Sequence, residues 1–408
     1  MRILYIAYSC DPLAGSEDKT GWAVPYEMAK EHEVFLVTKP EKKDHIEAFL
    51  KTHERRNIEI TFVDIPKLYK QIYKGFFYSR RLSIWHRNAL PMVKRIVEEH
   101  KIEIIHQITP LEMRSIGEYW NIQGVKCIYG PLGGAEYVPE GLKSYIQGNW
   151  LVELIRRMVN SKCFSRYKKK KILDHIEYLL FANQETFDYL CPLVNVNSSI
   201  STDVGIFAKE ISSAYTHTMR TKVVFLCAGR LIYRKGHEFL LDAIRSIPDE
   251  YDFECRIVGG GPDFHRLKAR IDKDYLLHKR VKLLGKVSFQ QMAIEYDNAN
   301  VLIMPSIRET TGNVLLEAQA KGLPVITIKR FGGATFLSDK NAWLYDGKTK
   351  DEYIENLAGC IRDAVDHPEI IEQKGKEALT NAHALTWEKR SSEYQKIYTM
   401  VLRESFIS

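Results

Sequence analysis

Two glutamates eight residues apart, Glu309 and Glu317, flank a polar turn that opens a helix in PSIRETTGNVLLEAQAKGLPVI, residues 305–326. Gly322 and Pro324 supply the stop signals for that helix. At its start the backbone N–H groups of Thr311, Gly312, Asn313 and Val314 have no acceptor one turn back, and with the helix dipole they favour a phosphate. Glu309 lies before the helix and Glu317 within its first two turns. One carboxylate can therefore reach past the phosphate on one side while the other reaches the far end of a nucleotide. Upstream, AGRLIYRKG (228–236) follows an apolar strand pattern and sets Arg230 and Lys235 at its exit. Two cations there can neutralise the charge of a phosphate or diphosphate group. Two surface glutamates beside a capped helix, and two solvated loop cations, would give the same residues. Strand, turn, Gly312 and GLPV in register favour the site.

Glycine turns mark three further places where backbone can approach a ligand. IVGGGPDFHRL (257–267) leads from a strand through Gly259 and Gly260 into a helix, without a GxGxxG fingerprint. CDPLAGSEDKTGW (10–22) joins the first strand to the first helix and carries Gly15 and Ser16. GPLGGAEYVPEG (130–141) places Gly133 and Gly134 after a strand.

The elements that must hold these loops alternate strand and helix. Strands are expected at 2–8, 33–38, 58–65, 102–109 and 125–130, with helices over 21–32 and 91–101. Residues 195–221 are polar and aperiodic and read as an interdomain link. The alternation then resumes with strands at 222–229, 253–259, 281–285, 300–306 and 324–328, and helices over 236–247, 263–273 and 313–321. Repeated strand–helix units imply parallel sheets wound on both faces, which bind ligands at the carboxyl ends of their strands. The expected organisation is two doubly wound α/β domains facing a deep cleft. The first takes residues 1–205 plus 386–408, including an amphipathic final helix, and the second takes 206–385.

These motifs resemble the retaining glycosyltransferases of family 4, whose fold is GT-B and whose signature is E-x7-E. The resemblance implies that Glu309 contacts donor-sugar hydroxyls and Glu317 the ribose. It assigns the diphosphate to Arg230 and Lys235 and the base to backbone around Lys286 and Val287 in LLGKVSFQQM (283–292). It also places a histidine near the donor sugar, here His106, although a lone histidine at a strand end is also a common structural residue. P-x2-GSE-x3-GW together with GPLGGAEYVPEG resembles a subset that builds bacterial surface polysaccharides, which implies that Gly133 and Gly134 shape the acceptor side. The implied reaction moves a sugar from an NDP-sugar, a UDP- or GDP-sugar, to a saccharide acceptor with the α-configuration kept. No catalytic metal or other cofactor is expected. Thr310 and Thr311 depart from the aromatic or glycine usual after the first glutamate. Alternatives are a transferase for a soluble acceptor or an NDP-sugar epimerase on the same fold, and a non-catalytic nucleotide-binding scaffold of an assembly complex.

Charge bears on the partner. The 408 residues are 45% hydrophobic and 27% charged, which excludes a disordered chain and permits large cores. Residues 67–95 hold eight Lys or Arg and no acid, and residues 151–173 hold eight against one Glu. Tyr73, Phe76, Phe77, Tyr78, Trp85, Trp150, Phe164 and Tyr167 are interspersed. Cations with aromatics suit an anionic membrane surface, and a polyprenyl-diphosphate-linked acceptor would lie there. No nucleic-acid signature accompanies them. No apolar run is long enough to span a bilayer and no leader is evident, so the expected location is cytoplasmic, peripheral on the inner face of the cytoplasmic membrane. Seven scattered cysteines without CxxC pairing fit reduced thiols rather than a metal site.

Overall fold

A computed structural model describes residues 1–54, 56–73, 78–217 and 222–404, the side chains of Phe289 and Glu404 excepted. The chain divides into two compact units. One comprises Met1–Ala135, Ile155–Gly205 and Trp387–Ser408, the other Glu136–Leu154 and Ile206–Thr386.

The first unit is built on seven strands: β1 (Arg2–Ala7), β2 (Glu33–Thr38), β3 (Ile58–Phe62), β4 (Ile104–Thr109), β5 (Lys126–Leu132), β6 (Tyr178–Phe181) and β7 (Asn197–Ile200). All pair in parallel in the order β3-β2-β1-β4-β5-β6-β7. Helices cover both faces, so central strands such as IIHQIT are buried at every position and show no alternation. The second unit carries β8 (Val223–Ala228), β9 (Phe253–Val258), β10 (Val281–Gly285), β11 (Val301–Met304), β12 (Val325–Ile328) and β13 (Ala342–Tyr345). Its strands are also parallel, in the order β10-β9-β8-β11-β12-β13.

Four features differ from the sequence expectation. Residues 136–154 pack with the second unit, because Val138, Leu142, Tyr145 and Ile146 enter its core and the Tyr145 hydroxyl donates to Asp242 at 2.5 Å. The polar stretch read as a link contains β7, an edge strand whose residues are at most half-buried and need no apolar alternation. The helix expected from Pro91 begins at Tyr78 and runs to His100. Its apolar face continues back through Leu82, Trp85 and Ala89, and Trp85 donates its indole N–H to Val63 O at 2.8 Å.

His106 is the fourth correction. It is fully buried in β4, with Nδ1 2.6 Å from the Tyr398 hydroxyl and Nε2 2.7 Å from Gly130 O. Both ring nitrogens are used inside the first unit, so the residue is a core histidine in this structure. Burial lowers its pKa to about 4, against the lesser opposing effect of the Gly130 carbonyl. The final helix, Trp387–Glu404, brings Tyr398 to this place, and the same hydroxyl lies 2.9 Å from Tyr5 Oη. Replacing Tyr398 by Phe leaves His106 and Tyr5 each short of a buried partner. We expect a loss of about 1–3 kcal/mol in urea unfolding, with donor-nucleotide binding unaffected.

Candidate functional site

The order of the second sheet reverses between β8 and β11. Loops leaving the carboxyl ends of two such strands diverge to opposite faces and open a crevice. Arg230, Arg234 and Lys235 follow β8, and Glu309 follows β11. Two backbone bonds stitch these loops together: the N–H groups of Ile307 and Arg308 both donate to Arg234 O, at 2.9 and 3.3 Å. Gly236 has φ +72°, and a Cβ there would meet Pro305 O at 1.9 Å, so the two loops cross at a point only glycine fits.

The crossing sets the Glu309 carboxylate beside two cations. Lys235 Nζ donates to Glu309 Oε2, and Arg234 Nη1 lies 3.2 Å from the same oxygen. The glutamate side chain is 13% exposed, Lys235 17% and Arg234 22%, so the triad is largely withdrawn from water. Burial alone would raise the Glu309 pKa, but Lys235 and then Arg234 outweigh it and hold the carboxyl below its ordinary value. Next to it, Arg308 donates through Nε to Glu153 Oε1 at 3.1 Å, and the Tyr233 hydroxyl donates to the same oxygen at 2.7 Å. This second cluster anchors the loop that carries Glu309.

Glu317 stands on the helix Asn313–Ala320 and accepts from the Tyr296 hydroxyl at 3.1 Å. Gly312 precedes the helix with φ +95°, and no side chain caps the start. A Cβ on Gly312 would meet Met304 Sδ at 2.7 Å, which draws the turn against the end of β11. Thr311 is buried beneath this turn, while Asn313 and Val314 are half-buried, Val314 packing on apolar core. Gly259 and Gly260 follow β9. The Gly259 N–H donates to Gly285 O at 2.8 Å, and Gly260 O accepts from Leu231 N–H at 3.0 Å. The exits of β8, β9 and β10 are thereby held together, with exposed Lys286 and half-buried Val287 following β10.

The sequence reading paired Arg230 with Lys235. The structure pairs Lys235 with Glu309 and adds Arg234, which lies one residue away in the same RLIYRK string. Arg230 is exposed and, among the described residues, makes no ion pair. Glu153, Tyr233 and Arg308 were also missed, because Glu153 is remote in sequence and carries no motif. In the first unit, exposed Gly15 and Ser16 open the helix Ser16–Met28, Ser16 at φ +60°. Gly133 bonds the segment after β4 through its N–H to Leu111 O and its carbonyl from Met113 N–H. The Gly134 carbonyl accepts from Arg114, Arg156 and Asn160 at 3.0, 2.6 and 3.2 Å. Among the described residues, no three His, Cys, Asp or Glu side chains are grouped to share a metal ion.

Comparison with known proteins bears on this geometry. Residues 209–378 match the family described as glycosyl transferases group 1. The match includes Arg230, Arg234, Lys235, Glu309 and Glu317. An uncharacterized glycosyltransferase of Methanocaldococcus jannaschii is 26% identical over 42% of this chain and 47% of its own length. D-inositol 3-phosphate glycosyltransferase of Streptomyces avermitilis is 29% identical over 44% and 40%. The chain thus spans less than half the length of these curated relatives. Sucrose-phosphate synthase from Thermosynechococcus elongatus is similar along 99% of both chains, with TM-score 0.66 and 20% identity. HepE of Anabaena, solved in complex with UDP, follows at TM-score 0.62 and 14% identity over 98% and 100%. The fold is GT-B, an α/β architecture of two Rossmann-like domains.

A depressed carboxylate pKa means that the triad's stabilisation is fully present above the ordinary glutamate value, about 4.3, and fades as pH falls through the lowered one. Lys235→Gln removes the larger attraction. The Glu309 pKa should then rise toward its ordinary value, read from carboxyl NMR shifts against pH.

Proposed function

We propose that this protein is a retaining glycosyltransferase that moves a sugar from a UDP- or GDP-sugar to a saccharide acceptor. The observation that carries the reading is the buried triad of Glu309, Lys235 and Arg234 at the switch point of the second sheet. A carboxylate that neutralises two cations keeps a diphosphate-sized positive site compact until an anion arrives. The nucleotide's diphosphate then takes over Lys235 and Arg234, with Arg230 at the mouth of the same loop. Glu309 is released to accept from donor-sugar hydroxyls, and Glu317 accepts from the ribose. The uncapped start of Asn313–Ala320 adds N–H donors for phosphate oxygen.

In the reaction, the bond from the sugar's C1 to the diphosphate oxygen breaks. A bond from C1 to an acceptor oxygen forms on the same face, and the acceptor's proton passes to the leaving phosphate. Charge stabilisation by protein cations and positioning of the two substrates carry this step, which needs no separate base and no metal. The HepE complex with UDP and the named glycosyltransferase relatives support a nucleotide-sugar donor.

The acceptor is proposed to be lipid-linked, such as a polyprenyl-diphosphate saccharide in bacterial surface polysaccharide assembly. This reading places the protein on the inner face of the cytoplasmic membrane. No described helix is long and apolar enough to cross a bilayer. The aromatics thought to face lipid are divided: Trp85 and Tyr167 are core residues, Tyr78 and Phe164 pack against that core, and Tyr73 is half-buried. Phe76 and Phe77 lie outside the described residues. Support comes instead from the exposed apolar side chains Trp150, Leu151 and Leu154 at the start of the helix Trp150–Lys170. The short helix Lys67–Ile72 exposes Leu68, Tyr69 and Ile72. Exposed apolar side chains suit the surface of a bilayer.

Two results would test these readings. Glu309→Ala should abolish sugar transfer and leave UDP or GDP affinity near that of the parent, whereas Glu317→Ala should weaken nucleotide binding about tenfold. Equal loss of nucleotide binding in both variants contradicts the roles, and nucleotide binding without transfer to any acceptor would favour the scaffold. Leu151→Asp with Leu154→Asp should reduce flotation with phosphatidylglycerol vesicles severalfold while transfer to a short soluble acceptor persists.

A further inference from the structure

The two basic stretches converge on one concavity of the first unit. Its volume is about 810 Å³, and its lining includes Arg80, Arg87, Arg114, Lys162 and Arg166, with no carboxylate among the described lining residues. Arg80 and Arg87 come from the helix Tyr78–His100, Lys162 and Arg166 from the helix Trp150–Lys170. Arg114 is already committed: it pairs with Glu112 and donates to Asn160 Oδ1 at 2.5 Å and to Gly134 O. Its charge is met by Glu112, so it forms a fixed hydrogen-bonded floor. The other four are exposed. Arg80 sits 5.8 Å over the Tyr73 ring, and Arg166 lies 5.1 Å over Tyr167 while donating to Arg114 O at 3.3 Å. Among the described residues, Arg87 and Lys162 have no ion pair.

Cations gathered around a concave surface repel one another and raise its potential, a cost that a polyvalent anion removes. Other basic side chains of this unit are matched by acids: Lys70 with Glu41 and Asp64, and Arg56 with Glu27. Among the described residues, Arg80, Arg87, Lys162 and Arg166 are not so matched. Guanidinium forks from two helices suit the oxygens of a phosphate more closely than a single carboxylate. Tyr69 and Tyr73, stacked with ring centroids 6.0 Å apart, add an aromatic rim on which a sugar or lipid segment can rest.

We propose that this concavity is a second anion site, which holds a phosphate or diphosphate group through Arg80, Arg87, Lys162 and Arg166. Its assignment to the acceptor's phosphate rests on the transferase reading, but its binding chemistry does not. The phosphate has two possible sources, a soluble phosphorylated acceptor or a phospholipid headgroup.

The test uses the full chain and inorganic pyrophosphate as probe, titrated calorimetrically into the parent, Arg87→Gln/Lys162→Gln and Lys235→Gln proteins. Arg87 and Lys162 are exposed, so the double variant should fold, as circular dichroism will verify. The expected result is at least a tenfold loss of pyrophosphate affinity at one site in the double variant, with that site intact in Lys235→Gln. Parent-like pyrophosphate binding by the double variant overturns the proposal. UDP and GDP titrations read the transferase proposal separately: their absence in the parent sinks that reading and leaves this one standing. Vesicles of phosphatidylglycerol and phosphatidylcholine separate the sources. A headgroup source requires the double variant to lose vesicle binding together with pyrophosphate, and a soluble source requires it to lose pyrophosphate alone.

Discussion

A carboxylate withdrawn from water has to be met by charge, and Glu309 is met by two cations from the loop after β8. Removing one partner of such a buried pair costs about 3–5 kcal/mol, because the remaining charge is left uncompensated. The crossing of the loops after β8 and β11 meets that demand. Arg234 contributes twice, through its guanidinium to Glu309 and through its carbonyl to the N–H groups of Ile307 and Arg308. Backbone and side chain thus fix the same geometry. The Glu153, Tyr233 and Arg308 cluster then holds the outer side of the loop.

Much of the fold was legible in sequence because strands buried on both faces appear as short β-branched runs separated by helical periodicity. Where that contrast was missing, reading failed. YLLF of β6 is four residues long, and NSSI of β7 is polar because an edge strand buries little. β13, AWLY, lies between polar segments and gave no run of its own. Residues 136–154 were misassigned for another reason. A segment without regular strand or long helix takes its allegiance from a few apolar side chains, and those of Leu142 and Tyr145 are spent in the second core.

Legibility of the site followed whether a residue's role is local. Glu309, Glu317, Gly312 and the glycines after β9 could be named as candidates because turn, helix start and spacing are written in adjacent residues. Arg234 was within reach, one position from Lys235. Glu153 was not, since its connection to Arg308 spans 155 residues and depends on how a distant helix begins. His106 shows the converse error. A histidine near a strand end looks accessible in sequence, yet this strand is covered by the final helix, whose Tyr398 arrives from 292 residues away.

The glycine contacts at the sheet exits have a bearing on how such a site can change over time. Gly259 has φ +150°, and a Cβ on it would lie 1.7 Å from Gly229 O, so any side chain would force two strand exits apart. Gly261 faces Leu231 O in the same way, at 2.3 Å. Positions that are closed by space admit no gradual variation, whatever ligand is to be accommodated. Substitution is therefore admitted more readily at exposed neighbours such as Lys286 than at the glycines that hold the strand exits together.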